Sequence, residues 1–302
     1  MGFGLPANSR RRPLPRTSSP DRVERKCVHR LTLPTDLGLL ARQHPKMVYG
    51  LLLRCAAAAT QKLADDPQYL GATPAILAVL HTWSRALLYH PHVHLLVSAG
   101  GWSEDQRWVP PKHPTFFVPV RALSVIFRAK MRHALAQAHW LEPTPQKTWT
   151  QPWVVHCQHA GAGEKVLGYL ARYAFRVAIT NSRLESFADG RVTFRYRDNR
   201  TQQLQRVTLR AEDFIGRFMQ HILPRGFPKV RCYGLASASR QKDREQARTL
   251  LRPDIATNTN DAKTGVSLPA TKGSAPPPLC PHCRIGHLIV VQLLRPQRKF
   301  PP

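Results

Sequence analysis

Acidic residues are scarce in this sequence: 18 Asp or Glu stand against 45 Lys or Arg among 302 residues, which gives a formal net charge of +27. A positive excess of this size repels itself unless a polyanion neutralises it, and nucleic acid is the usual polyanion. The charge therefore indicates a nucleic-acid partner. It does not separate an enzyme from a basic structural protein associated with RNA, or from a poorly expressed reading frame under weak selection.

Long apolar runs and grouped cysteines are also missing. The longest apolar stretch, residues 51–59, is interrupted by Arg54 and is far shorter than the ~18 residues that a membrane-spanning helix needs. The first 26 residues are basic and rich in Pro and Ser, without the apolar centre of a signal peptide. Six cysteines, of which two lie close together, do not make the pattern of a disulfide framework. We therefore expect a cytoplasmic protein.

Four regions follow from composition and patterning. Residues 1–26 lack any periodic apolar pattern and are predicted to be a disordered basic arm. Residues 27–240 are predicted to form the folded domain, which the resemblance described below implies is catalytic, 241–279 a linker, and 280–302 a tail. Cys280 and Cys283 in this tail have the spacing that begins many zinc sites, with His282 and His287 nearby, but no second Cys pair follows. A Zn²⁺ site there and an unstructured remnant both remain open.

The folded region alternates irregularly between strand and helix patterns. Helices are predicted where apolar residues recur at helical spacing, over residues 45–64, 119–138, 164–175 and 211–223. Strands are predicted over residues 27–33, 75–83, 87–97 and 153–157, with a hairpin made of 176–180, 184–187 and 191–197 around the turn Asp189-Gly190. This order favours an α+β fold in which helices flank an antiparallel sheet.

Closely spaced histidines stand on the predicted strand 87–97. Side chains at i and i+2 of a strand point to the same face, so His92 and His94 project together. Two neutral imidazoles on a rigid strand form half of a divalent-metal site. A His-rich strand that faces solvent or nucleic acid is the alternative.

A third metal ligand is not fixed by spacing. His81 lies on the preceding predicted strand, which can run beside the His92 strand, and it is our choice. The alternative for His81 is an ordinary histidine at a strand end. His90 shares the face of His92 and His94, but residues i and i+4 of a strand are about 13 Å apart, too far to share one ion. Glu164 is a further candidate.

Two tyrosines lie four residues apart on the predicted helix 164–175. Tyr169 and Tyr173 flank its apolar stripe, and Arg172 and Arg176 lie just beyond them. A phenol has a pKa near 10, so its attack on phosphorus needs positive charge nearby, which these arginines supply. The alternative is a pair of boundary tyrosines with snorkelling arginines. Arg128 and Arg132, on the polar face of the helix 119–138, are further candidates for DNA binding.

These motifs resemble those of the HUH endonuclease superfamily, and most closely those of the two-tyrosine transposases of the insertion sequence 91 family. The resemblance covers residues 28–240 in one order and rests on the stretches 31–34, 80–83, 90–94, 169–173, 176–181, 189–195, 223–227 and 233–235.

The resemblance implies an RRM-like palm, Mg²⁺ or Mn²⁺ held by His92, His94 and a third group, and attack by Tyr169 or Tyr173. It further implies a 5′-phosphotyrosine intermediate on single-stranded DNA at element ends and target, in rolling-circle-like transposition in a bacterial cell.

The sequence also departs from this family. Nothing like the family's cysteine-rich zinc-binding domain precedes Cys27, so we expect a truncated frame. The segment 98–103 only approximates the family's glycine-rich segment. A rolling-circle replication initiator or relaxase, and a non-catalytic DNA-binding remnant of a transposase, remain alternatives.

Overall fold

The computed structural model describes residues 26–112, 118–142, 144–161, 178–198 and 200–251, with the side chains of residues 26 and 159–161 left out. The chain divides into two compact units, Met1–Pro253 and Asp254–Pro302, and every described residue belongs to the first. The predicted helix 164–175, with Glu164, Tyr169, Arg172 and Tyr173, lies outside the described residues, as do Arg176, Cys280 and Cys283.

The described residues form an α+β fold, as predicted. The strands are β1 Lys26–Thr32, β2 Thr73–Trp83, β3 Tyr89–Trp102, β4 Trp108–Val109, β5 Val155–Gly161, β6 Leu184–Ala188, β7 Arg191–Arg197, β8 Leu204–Arg210 and β9 Val230–Gly234. The helices are α1 Gly38–Gln43, α2 Pro45–Ala64, α3 Val120–Gln137, α4 Lys147–Thr150, α5 Ala211–Met219 and α6 Gln241–Leu251.

The larger sheet is antiparallel and has the strand order β5-β1-β3-β2-β9, with β4 paired to the end of β3. Its central strand β3 is therefore hydrogen-bonded on both sides, to β1 and to β2. The strand with the paired histidines is thus an inner strand of the sheet. The predicted antiparallel sheet with flanking helices is confirmed.

One face of this sheet packs against helices. Pro45 stands in the first turn of α2, where its missing N–H costs nothing, and Leu52 and Leu53 of this helix are fully buried. The apolar stripe of α3, which includes Phe127, joins the same core. Strand β3 contributes Val93, Leu95 and Val97 to this core. Because side chains alternate along a strand, the even-numbered residues of β3 face the opposite side of the sheet.

A second sheet has the order β6-β7-β8. The turn Asp189-Gly190 between β6 and β7 has positive φ at both residues, 51° and 68°, as a tight hairpin turn requires. The hairpin of residues 184–197 is thus confirmed, whereas residues 178–180 are not a strand. The third strand, β8, was not predicted.

The apolar stripe predicted for the helix 211–223 is not buried. Helix α5 ends at Met219, and none of its residues is buried. The side chains of Ile215 and Met219 are 57% and 56% exposed, while Phe214 reaches the small core around Phe194. Periodicity identified the helix correctly. It did not show that the three-stranded sheet is too small to cover the apolar face of this helix.

The linker predicted from residue 241 is wrong for its first part. Residues Gln241–Leu251 form α6, and Ala247 of this helix is buried against Trp102 and Leu235. The rest of the predicted domain division stays a prediction. Within the described part of the chain, every helix is too short or too polar to cross a bilayer.

Candidate metal centre

Strands β2 and β3 bring three histidines onto the open face of the larger sheet. In their antiparallel register His81 lies directly opposite His92, and Val79 lies opposite His94. Since side chains alternate along each strand, the three imidazoles project from the same face. The register between β2 and β3 therefore brings His81, the predicted third ligand, next to His92 and His94.

The three rings converge. The ring centroids of His81 and His92 are 5.4 Å apart, those of His81 and His94 are 4.8 Å apart, and those of His92 and His94 are 5.0 Å apart. One nitrogen of each ring lies within 4.8 Å of the others, and the residues are only 3% to 7% exposed. A buried group of three imidazoles at this spacing has the donor number and chemistry of a three-histidine metal site.

A hydrogen bond orients one of these rings. Nδ1 of His92 lies 2.7 Å from the carbonyl oxygen of His90, so Nδ1 carries the hydrogen and donates it. In the neutral ring Nε2 is then the nitrogen with a free lone pair. Such second interactions fix the tautomer and the ring orientation of metal-binding histidines. His90 therefore supports the cluster through its carbonyl group, while its own ring is not one of the three.

The surroundings keep His92 neutral. The pKa of His92 is lowered to about 3, chiefly by burial; the hydrogen bond to the His90 carbonyl opposes this shift, and the nearby His81, His90 and Arg30 add to it. A neutral imidazole is the form that binds a cation. At neutral pH His92 is therefore in the form that binds a cation.

Comparisons with known proteins identify the family of this chain. A family model, Y2_Tnp, described as "Putative transposase", matches residues 75–244. The chain belongs to this transposase family. The match begins on β2 and includes all three histidines of the cluster together with Tyr169 and Tyr173. The resemblance to two-tyrosine transposases is thereby confirmed at the level of the family.

Two curated transposases are similar to the chain. "Putative transposase y4qJ" of Sinorhizobium fredii (strain NBRC 101917 / NGR234) is 36% identical over 303 residues, which cover 87% of this chain and 72% of that protein. "Transposase for insertion sequence element IS801" of Pseudomonas savastanoi pv. phaseolicola is 31% identical over 182 residues, covering 54% of this chain and 43% of that protein. A DNA partner follows from membership in the family.

Sequence reasoning missed an aromatic and a lysine beside the cluster of this transposase. Trp83 stacks on His81, with ring centroids 4.6 Å apart and planes at 19°. Nζ of Lys229 lies 5.1 Å from the centre of the Trp83 ring, and burial lowers the pKa of Lys229. Trp83 stands two residues after His81 on a predicted strand, so the sequence could have predicted that both side chains lie on the same face of the sheet. Lys229 had no such signal, because strand β9 next to β2 was not predicted.

Arg30 was missed as well. It lies on β1, opposite His94 on one side and His156 on the other. Its Nε is buried and has no hydrogen-bond acceptor among the described residues. The Arg30 charge lowers the pKa of both His90 and His156, in each case as a smaller cause than burial. A cationic donor beside the imidazole cluster suits an anionic ligand.

The predicted DNA contacts on α3 lie elsewhere. Helix α3 packs on the side of the sheet opposite to the histidine cluster. The guanidinium of Arg128 donates to the backbone carbonyls of Thr150 and Gln151, so it holds the end of α4, and Arg132 is exposed. DNA binding by Arg128 and Arg132 stays a prediction, for a surface separate from the cluster.

Proposed function

We propose that this chain nicks and rejoins single-stranded DNA at the ends of a mobile element and at its target, through a tyrosine nucleophile beside a divalent cation. The observation that carries the proposal is the convergence of His81, His92 and His94 on one buried point of the open sheet face. Family membership supports a DNA-processing role for that point. Action in the bacterial cytoplasm is part of the same proposal.

The residues fit a divalent cation. Three imidazole nitrogen donors are present, one of them with its tautomer set by the His90 carbonyl, and no carboxylate among the described residues joins them. Nitrogen donors suit Mn²⁺ or a later transition metal better than Mg²⁺, which prefers oxygen ligands. When bound, such an ion polarises the scissile phosphate and stabilises the charge that develops on it.

The chain's own residues perform the bond exchange. The hydroxyl oxygen of Tyr169 or Tyr173 forms a bond to phosphorus and loses its proton, and the bond from phosphorus to the 3′ oxygen breaks. The products are a 5′-phosphotyrosine and a free 3′-hydroxyl. Because one phosphodiester is exchanged for another, the reverse step rejoins DNA without ATP. Two tyrosines let one keep the first strand end while the other makes a second cut.

Basic residues attract and hold the phosphate in this proposal. Arg30, at the edge of the cluster, donates to a non-bridging phosphate oxygen. Arg172 on the predicted tyrosine helix and Arg176 just after it neutralise charge near the point of attack and favour the phenolate. The stack of His81 and Trp83 limits the movement of one metal ligand.

The test is cleavage of a random-sequence pool of single-stranded oligonucleotides, with sequencing of the products. The unchanged protein with Mn²⁺ should give nicked strands and protein–DNA adducts that survive denaturation. The Tyr169→Phe/Tyr173→Phe double variant should still bind DNA and Mn²⁺ but form no adduct. A matched Tyr196→Phe variant, altered in the second sheet, should form adducts normally. Adducts in the double variant, or DNA binding without any metal-dependent nicking by the unchanged protein, would overturn the proposal; the second result favours a non-catalytic DNA-binding remnant.

A further inference from the structure

One face of the second sheet is lined with arginines. Strands β7 and β8 both show an alternation of exposed and less exposed residues. The apolar residues of this alternation surround the buried Phe194 on the inner side of the sheet. The opposite, outer side carries the arginine face, which comprises Arg191, Arg195, Arg197, Arg206 and Arg210.

Two pairs of these arginines lie directly opposite each other across the strands. Arg191 is paired with Arg210, and Arg195 is paired with Arg206. Between the two pairs, the hydroxyl oxygens of Thr193 and Thr208 lie 2.9 Å apart. Like charges at directly opposed positions of a sheet destabilise it. The fold therefore retains a repulsion here that a neutral residue on either strand would remove.

Acidic residues compensate this charge only in part. Glu185 contacts the guanidinium groups of Arg206, at 2.8 Å, and of Arg195, at 3.8 Å. Glu212 lies 3.5 Å from the guanidinium of Arg210. The side chains of Arg195, Arg206 and Arg210 are nevertheless 47%, 68% and 69% exposed. Two carboxylates against five guanidinium groups leave a net positive surface that is open to solvent.

We infer that the arginine face is a docking surface for double-stranded DNA. The two arginine pairs are four residues apart along the strands, which corresponds to about 13 Å. This separation is close to the ~12 Å width of the major groove of B-DNA, so each pair meets one of the two phosphate backbones that border the groove. Guanidinium groups bind phosphate oxygens in a fixed fork geometry.

The composition of the face favours a duplex over a single strand. Surfaces that bind single strands combine positive charge with aromatic rings on which bases stack. Among the described residues of β7 and β8, the aromatic side chains Phe194 and Tyr196 belong to the inner side. The outer side offers guanidinium and hydroxyl groups, which contact phosphates.

This inference goes beyond the proposed nicking activity and does not depend on it. It predicts binding that needs neither the histidine cluster nor a tyrosine. The test is therefore made with a chelator present. No metal-dependent nicking then takes place, and the assay measures DNA binding alone. The probe is a fluorescently labelled duplex of random sequence, titrated at several salt concentrations and compared with the corresponding single strand.

The decisive variant is Arg191→Gln/Arg210→Gln in the full chain. Removal of two phosphate contacts should lower the slope of log affinity against log salt by about 2 for the duplex. Affinity for the single strand should change less. Because Arg191 and Arg210 repel each other, the variant should unfold at the same temperature as the unchanged chain or at a higher one, so that a loss of binding is not a loss of fold.

The matched control is Arg107→Gln/Arg248→Gln, which removes the same charge from exposed positions outside the arginine face. This control should leave the slope of log duplex affinity against log salt nearly unchanged. The Arg191→Lys/Arg210→Lys variant, which keeps both charges, should retain most of that slope. Equal slope changes in the two Gln double variants would overturn the inference, since charge alone would then explain the binding. A larger loss for the single strand than for the duplex would also overturn it.

Discussion

His81 on β2 lies directly opposite His92 on β3, with ring centroids 5.4 Å apart and ring planes nearly perpendicular at 88°. This cross-strand pair turns a short His-x-His stretch into a three-imidazole cluster, because His94 projects from the same face. The imidazole cluster therefore depends on the register of the sheet. A slip of one residue between β2 and β3 would send His81 to the helix-covered side.

Replacement of one imidazole should weaken metal binding strongly. In His81→Ala we expect Mn²⁺ affinity to fall by more than the ~10–100-fold that is typical for outer-shell partners, because a direct ligand is lost. Isothermal titration calorimetry measures this. His156, an exposed histidine on the edge strand β5 of the same sheet, provides the matched control, and His156→Ala should bind Mn²⁺ normally. Equal affinities of the two variants would show that His81 is no ligand.

Charge at Arg30 should matter for DNA and not for metal. We expect Arg30→Gln to lower single-stranded DNA affinity about tenfold, which is the loss of one charge-assisted hydrogen bond of ~1.5 kcal/mol or more. Arg30→Lys should restore part of this affinity. Fluorescence anisotropy measures the DNA affinity and calorimetry the Mn²⁺ affinity. If Mn²⁺ and DNA affinities fell together in both variants, Arg30 would be a structural residue of the sheet.

Truncation of an apolar side chain should cost much more stability in the main core than on the exposed face of α5. Leu95 is fully buried in the main core, so Leu95→Ala should lower the free energy of unfolding by about 2–5 kcal/mol. Ile215 on α5 is 57% exposed, and Ile215→Ala should change it by less than about 0.5 kcal/mol. Urea denaturation measures both values. A large loss from Ile215→Ala would show that the apolar face of α5 is covered after all.

Much of this architecture was predictable from periodicity. Residues 45–64 were predicted as a helix and form α2 with the same bounds, because Pro45 and a regular apolar spacing mark its start and its buried face. Strand alternation likewise placed His92 and His94 on one face. Strand β8 was missed because its alternation of arginine and apolar residues lies in an arginine-rich region, where it does not stand out from the background.

The rest of the site needed three-dimensional information. His81 becomes a partner of His92 only through strand register, which a single sequence does not specify. Arg30 reaches the cluster from β1, and Lys229 stands just before β9, on the other side of the β2–β3 pair. A single basic residue among 45 carries no local signal. Sequence spacing finds residues that lie on one element, whereas this site combines residues of β1, β2 and β3 with Lys229, which stands just before β9.

Stability should depend on pH through a buried histidine. Burial lowers the pKa of His29 to about 4 in the folded chain, below its unfolded value of ~6.5. Between these values the unfolded chain binds the proton and the folded chain does not. The stabilisation is therefore complete above pH ~6.5 and is lost as pH falls toward about 4, by ~1.4 kcal/mol per pH unit. Urea denaturation from pH 7 to 4.5 should show a smaller decline for His29→Leu. An unchanged decline would contradict this assignment.

The most direct measurement is mass-spectrometric mapping of the covalent DNA adduct. The chain is incubated with single-stranded oligonucleotides and Mn²⁺, digested, and searched for a peptide that carries a 5′-linked nucleotide. We predict the adduct on Tyr169 or Tyr173, and its absence when Mn²⁺ is chelated or when His81 and His94 are replaced by Ala. An adduct on another residue, or one that forms equally well without the histidines, would contradict the account.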